Sequence, residues 1–72
     1  MKIIVNGAWH ELRSAGQASL DPTLDAVLSN LGFGGSVVAT ALNGEFVAAN
    51  ARDRTLVQDG DRVEVLAPMQ GG

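Results

Sequence analysis

Asp21-Pro22-Thr23-Leu24-Asp25-Ala26-Val27-Leu28-Ser29-Asn30-Leu31-Gly32 decides the fold, because it places one amphipathic helix between two hairpin signals. Leu24, Val27, Leu28 and Leu31 recur at i, i+3, i+4 and i+7, which is one face of an α-helix. Asp21 offers an N-cap acceptor, and Pro22 stands where its missing N–H costs nothing. The spacing predicts a helix of about three turns. Gly32 is the expected C′ residue, and Gly34-Gly35 keeps the helix from running on.

Upstream, Ile3-Ile4-Val5, Asn6-Gly7 and Ala8 to Arg13 form a hairpin signal, since Asn-Gly accepts the positive φ angles of a type I′ turn. With Val5 and Ala8 flanking that turn as a pair, alternation sends Ile3, Val5, Ala8, His10 and Leu12 inward. Trp9, Glu11 and Arg13 then face outward. Downstream, Val37 to Leu42, Asn43-Gly44 and Glu45-Phe46-Val47 predict a second hairpin. Residues 48–55 carry no clear period and read as a loop with room for one helical turn. Asp59-Gly60-Asp61 is a turn, and Arg62 to Ala67 is a last strand with Val63 and Val65 toward the helix. Pro68 ends that ladder because it has no N–H to donate.

The order β-β-α-β-β-β is that of a β-grasp, the ubiquitin-like α+β fold. It predicts a mixed sheet of four to five strands with the helix on one face and the last strand parallel beside the first. Residues 1–67 form that domain, and residues 68–72 form a flexible tail ending Gly-Gly.

Seventy-two residues suffice for one domain. A chain this short hides only about 60% of its unfolded surface, which leaves little interior for a water-free pocket and argues against an enzyme. Five Lys plus Arg against eight Asp plus Glu give a formal net charge of -3, with the basic residues dispersed, so nucleic acid is a poor partner. The absence of cysteine removes disulfides and thiolate metal sites and favours a reducing, cytoplasmic setting. The opening Met1 to Val5 turns polar at Asn6-Gly7, too soon for a signal peptide, and no apolar run is long enough to span a membrane.

The stretch Pro68-Met69-Gln70-Gly71-Gly72 reaches roughly 17 Å when extended. Without Cβ atoms, Gly71-Gly72 is thin enough to thread a narrow channel in a partner's active site, which would make the end a swinging carboxylate. A frayed end explains the same residues equally well when the tail is taken alone.

Val57-Gln58-Asp59-Gly60-Asp61-Arg62-Val63-Glu64-Val65-Leu66, followed by Pro68-Met69-Gln70-Gly71-Gly72, resembles the C-terminal half of the ThiS sulfur carriers of thiamin biosynthesis. Ala41-Leu42-Asn43-Gly44-Glu45-Phe46-Val47 resembles that family's middle hairpin, and Met1-Lys2-Ile3-Ile4-Val5-Asn6-Gly7 its opening. The resemblance implies that Gly72 carries sulfur while Gly71, Gln70 and Met69 thread into the partner. A ThiF-like adenylyltransferase would join the Gly72 carboxylate to AMP, a sulfur donor protein would convert it to a thiocarboxylate, and a ThiG-like thiazole synthase would accept the sulfur. ATP and Mg²⁺ would belong to the activating enzyme, with no cofactor bound by this chain. The lack of cysteine fits, because no internal thiol would compete for the sulfur.

With the last strand beside the first, Leu66 shares the outer face with Glu64, near Ile4 and Trp9, and these apolar groups form a candidate docking patch. Ordinary surface apolarity is the alternative, with docking ahead for Leu66 and Met69 and even for Trp9. His10 lacks companions for a metal site or a nucleophile, and Asp59 and Asp61 read as turn residues. Gly32-Phe33-Gly34-Gly35 lacks the lysine and hydroxyl of a phosphate loop. Three rivals share the sequence signals: the small subunit of molybdopterin synthase, a ubiquitin-like protein modifier, and an interaction module in which the tail plays no part.

Overall fold

The computed structural model describes residues 1–12 and 21–67. The tail Pro68-Met69-Gln70-Gly71-Gly72, and Arg13 of the first hairpin, lie outside the described residues. The strands are β1 (Lys2–Val5), β2 (Ala8–Glu11), β3 (Ala39–Leu42), β4 (Glu45–Val47) and β5 (Arg62–Leu66). One α-helix among the described residues, α1 (Leu24–Asn30), follows β2, and a 3₁₀ segment at Ala49–Arg54 fills the stretch read as a loop with room for a turn. The sheet order is β2-β1-β5-β3-β4. β5 runs parallel to β1 and antiparallel to β3, so the expected β-grasp is present and β5 is its central strand.

Both hairpins turn as their Asn-Gly pairs require, with φ of 49° and 84° at Asn6 and Gly7 and of 51° and 86° at Asn43 and Gly44. Val5 pairs with Ala8, as the alternation demands. Ile3, Val5 and Leu12 are buried with Leu24, Val27, Leu28, Val57, Val63 and Val65 in one apolar core. Ala8 and His10, expected inside, are exposed. They share the face of Ile3 and Val5, but β2 is the edge strand, and the core is built over β1 and β5.

The helix starts later than its sequence suggests. Thr23, not Asp21, is the N-cap: its ψ is 159°, and its Oγ1 accepts from the Ala26 amide at 3.1 Å. Such a cap contributes about 1 kcal/mol. Asp21 and Pro22 cannot belong to the helix because the chain there is extended against residues 55–57. Val57 N donates to the Pro22 carbonyl at 2.8 Å, Leu24 N to the Thr55 carbonyl at 2.7 Å, and Thr23 bridges Leu56. The helix is accordingly seven residues long, two turns rather than three.

Its exit follows the expected glycine logic. Gly32 has φ of 93°, its N–H donates to the Ser29 carbonyl at 3.2 Å, and Phe33 N donates to the Leu28 carbonyl at 2.8 Å. These are the paired bonds of a Schellman motif, and Phe33 packs against the core beside it. β3 begins at Ala39, so Val37, expected within the strand, is exposed outside it.

Candidate functional site

β5 is the last strand before the tail, and its placement fixes where Ala67 leaves the sheet. Alternation along it buries Val63 and Val65 under the helix and sends Arg62, Glu64 and Leu66 to the opposite, uncovered face. Its entry is held by the two aspartates of Asp59-Gly60-Asp61. Asp59 Oδ1 accepts from Lys2 N at 2.7 Å while Gly60 N donates to the Lys2 carbonyl at 2.7 Å, which extends the parallel pairing below β1. Asp61 Oδ2 accepts from Gln58 N at 2.8 Å, and its Oδ1 accepts from Asn43 Nδ2 at 3.1 Å. Both carboxylates serve the turn, as read from the sequence.

The turn asparagines grip β5 at both ends. Asn43 N donates to the Arg62 carbonyl at 2.8 Å, and Arg62 N donates to Asn43 Oδ1 at 2.9 Å. At the other end Asn6 N donates to the Val63 carbonyl at 3.0 Å. Val65 N donates to Asn6 Oδ1 at 2.8 Å, and Asn6 Nδ2 donates to the Val65 carbonyl at 3.0 Å.

On the uncovered face the register settles which apolar groups are neighbours. Trp9 is opposite Ile4, and Ile4 is level with Arg62 at the start of β5. Leu66 lies four residues further along, roughly 13 Å up the strand. Leu66 therefore shares the face of Ile4 and Trp9 but is not near them, which corrects the single patch expected from the sequence. Its companions come from the other side of β5. Ala39 pairs with Leu66, Ala41 with Glu64, and Phe46 with Ala41. Phe46 and Leu66, 74% and 67% exposed, stand on either side of the small residues Ala39 and Ala41. Phe46 went unnoticed in the sequence. The signal was present, since an inward Val47 beside Asn43-Gly44 obliges Phe46 to face outward.

Ile4 is half-buried, and Trp9, 64% exposed, lines with Lys2, His10 and Glu11 a shallow depression at the β2 edge. Among the described residues no group of His, Cys, Asp or Glu is arranged to hold a metal ion, and no helix is long and apolar enough to cross a membrane. The described part offers an exposed sheet face and an exit strand held by its neighbours.

The chain matches the ThiS family over residues 3–72, a span that includes Gly71 and Gly72. It is similar, at 36% identity and a TM-score of 0.80, to the crystal structure of thiamine biosynthesis protein ThiS from Geobacter metallireducens, with 100% of each chain covered. A solution NMR structure of a thiamine biosynthesis protein from the same organism is similar at 36% identity and a TM-score of 0.77, covering 100% of this chain and 88% of that one. No curated protein matches.

Proposed function

This chain belongs to the ThiS family of ubiquitin-like sulfur carriers of thiamin biosynthesis, and on that premise we propose that the carboxylate of Gly72 is its working group. The observation that carries the reading is that the family match runs through Gly72 while the strand leading toward it is the central strand of the sheet.

The chemistry follows from the state of a terminal carboxyl. With an ordinary pKa of about 3.5 it is ionised at neutral pH and is a poor electrophile. A ThiF-like adenylyltransferase, holding ATP and Mg²⁺ in its own site, lets a Gly72 carboxylate oxygen attack the α-phosphorus and expel pyrophosphate. The acyl adenylate now carries AMP as a good leaving group. The terminal sulfur of a donor persulfide attacks the acyl carbon and displaces AMP; a partner thiol then attacks the donor's inner sulfur, forming a disulfide with it and expelling the thiocarboxylate. A ThiG-like thiazole synthase then takes the sulfur. In each step this chain is the substrate, and the catalysts are its partners. A cytoplasmic, reducing setting suits the thiocarboxylate, and a chain without cysteine offers it no internal disulfide partner.

The body has a separate task. Gly71, Gln70 and Met69 occupy the partner's channel, and the face bearing Phe46, Ala39, Ala41 and Leu66 lies against the partner beside the channel mouth. An exposed apolar face flanking the exit strand supports this arrangement. Adenylation is tested by ATP–pyrophosphate exchange with a ThiF-like enzyme. Exchange that appears only when this chain and Mg²⁺ are both present is the expected result, and exchange no greater than that of the enzyme alone would overturn the proposal.

A further inference from the structure

We infer that Asn6 is a positioning residue for the reaction at Gly72, its carboxamide acting as one additional peptide group of β1 that holds the last residues of β5 in line. The inference rests on the reading above that Gly72 is the reacting group.

β5 outruns its parallel neighbour. β1 ends at Val5, which pairs with Val63, whereas β5 continues to Leu66. On the other side β3 accompanies β5 to the end, with Thr40 opposite Val65 and Ala39 opposite Leu66. In a regular parallel ladder, the residue after Val5 would donate its N–H to Val63 and offer its carbonyl to the Val65 N–H. Asn6 makes the first bond with its backbone, at 3.0 Å. It cannot make the second in that way, because its φ of 49° has turned the main chain into the hairpin.

The side chain supplies what the turn removes. Asn6 Oδ1 accepts from Val65 N at 2.8 Å, in place of the missing carbonyl. Asn6 Nδ2 donates to the Val65 carbonyl at 3.0 Å, in place of the N–H of a further strand residue. A primary amide is the one side-chain group that presents an acceptor and a donor with the spacing of a peptide unit. Val65 is thereby held from both sides of the sheet, two residues before Ala67 and three before Pro68. Without the amide, the β1 side of Val65 would face solvent, and the exit strand would be held on one edge only.

Asn43 provides a matched control. It has the same backbone conformation, φ 51°, in the same Asn-Gly context, and its Oδ1 accepts from Arg62 N, at the opposite end of β5 from the tail. Glycine accepts positive φ at either position, so Asn6→Gly and Asn43→Gly each keep the turn and remove only the side-chain bonds.

The test is steady-state adenylation of the full chain by a ThiF-like enzyme, with Val65 amide hydrogen exchange read in parallel. Asn6→Gly should lower kcat by about tenfold with KM changed by less than about twofold, because every side chain of the docking face is kept and Leu66 is still paired with Ala39, while the carboxylate is in line less often. The Val65 amide should exchange faster. Asn43→Gly should leave kcat within about twofold of the parent at a similar melting temperature. Equal kcat losses in both variants, or none in Asn6→Gly, would overturn the inference. Should Asn6→Gly not fold, Asn6→Asp keeps the acceptor for Val65 N but sets a carboxylate oxygen against the Val65 carbonyl. An unchanged kcat there would likewise overturn it. If the parent chain itself supports no adenylation, the failure belongs to the assignment of Gly72.

Discussion

Deleting Gly72 is expected to reduce adenylation at least about a hundredfold, equivalent to ~2.7 kcal/mol in the activation barrier, without altering the fold. The shortened chain would still end in a glycine carboxylate, Gly71, with the same intrinsic reactivity, so the loss would come from reach alone. One residue withdraws the reacting oxygen by about 3.4 Å, and displacements near 1 Å already cost orders of magnitude in positioned reactions. The fold should not notice, since the core among the described residues runs from Ile3 to Val65 and a glycine has no side chain to add to it. Initial-rate pyrophosphate exchange, with circular dichroism as the control, checks both halves. Retained activity would show that the Gly71 carboxylate serves as well and that Gly72 itself is not the required terminus.

Phe46→Ala should raise KM for the activating enzyme by about tenfold or more, ~1.4 kcal/mol of docking, while kcat stays near that of the parent. Phe46 presents a rigid aromatic ring from β4, 74% exposed, so its removal costs the free protein little. Truncation on the same face but away from the exit gives the contrast. Trp9 stands level with the start of β5, so Trp9→Ala should change KM by less than about twofold. Titration of each variant against the enzyme, followed by isothermal calorimetry or exchange kinetics, distinguishes them. Equal losses for Phe46 and Trp9 would spread the docking surface across the whole sheet. A loss for Trp9 alone would move it to the β2 edge.

These expectations draw differently on sequence and structure. The succession of elements along the chain, the parallel placement of β5 beside β1 and the two Asn-Gly turns were legible because each depends on local chemistry and on the alternation of a few residues. The helix start was not. Asp21-Pro22 carries a good local signal for an N-terminus, but the Pro22 carbonyl is committed to Val57, thirty-five residues away in sequence, and long-range pairing overrides the local preference. Ala8 and His10 have the correct side of the sheet and the wrong burial for a related reason. Alternation gives the face of a residue, whereas burial depends on how far the opposing layer extends, and β2 lies at the edge.

The candidate site shows the same division. Leu66 on the outer face follows from alternation, but its neighbours depend on the pairing of β3 with β5, which joins Ala39 and Phe46 to it and leaves Trp9 and Ile4 at the far end. Asn6 and Asn43 were chosen by sequence for their backbone angles alone. Their carboxamides do as much for β5 as their main chains do for the turns, and only the three-dimensional register reveals that second use.

The most direct measurement is the intact mass of the full chain after incubation with ATP, Mg²⁺, a ThiF-like adenylyltransferase and a persulfide donor, followed by peptide mapping. A gain equal to the replacement of one oxygen by sulfur, confined to the peptide ending at Gly72, is the predicted result. An unchanged mass in a mixture that consumes ATP in response to the chain, or a linkage of Gly72 to lysines of other proteins, would contradict the account.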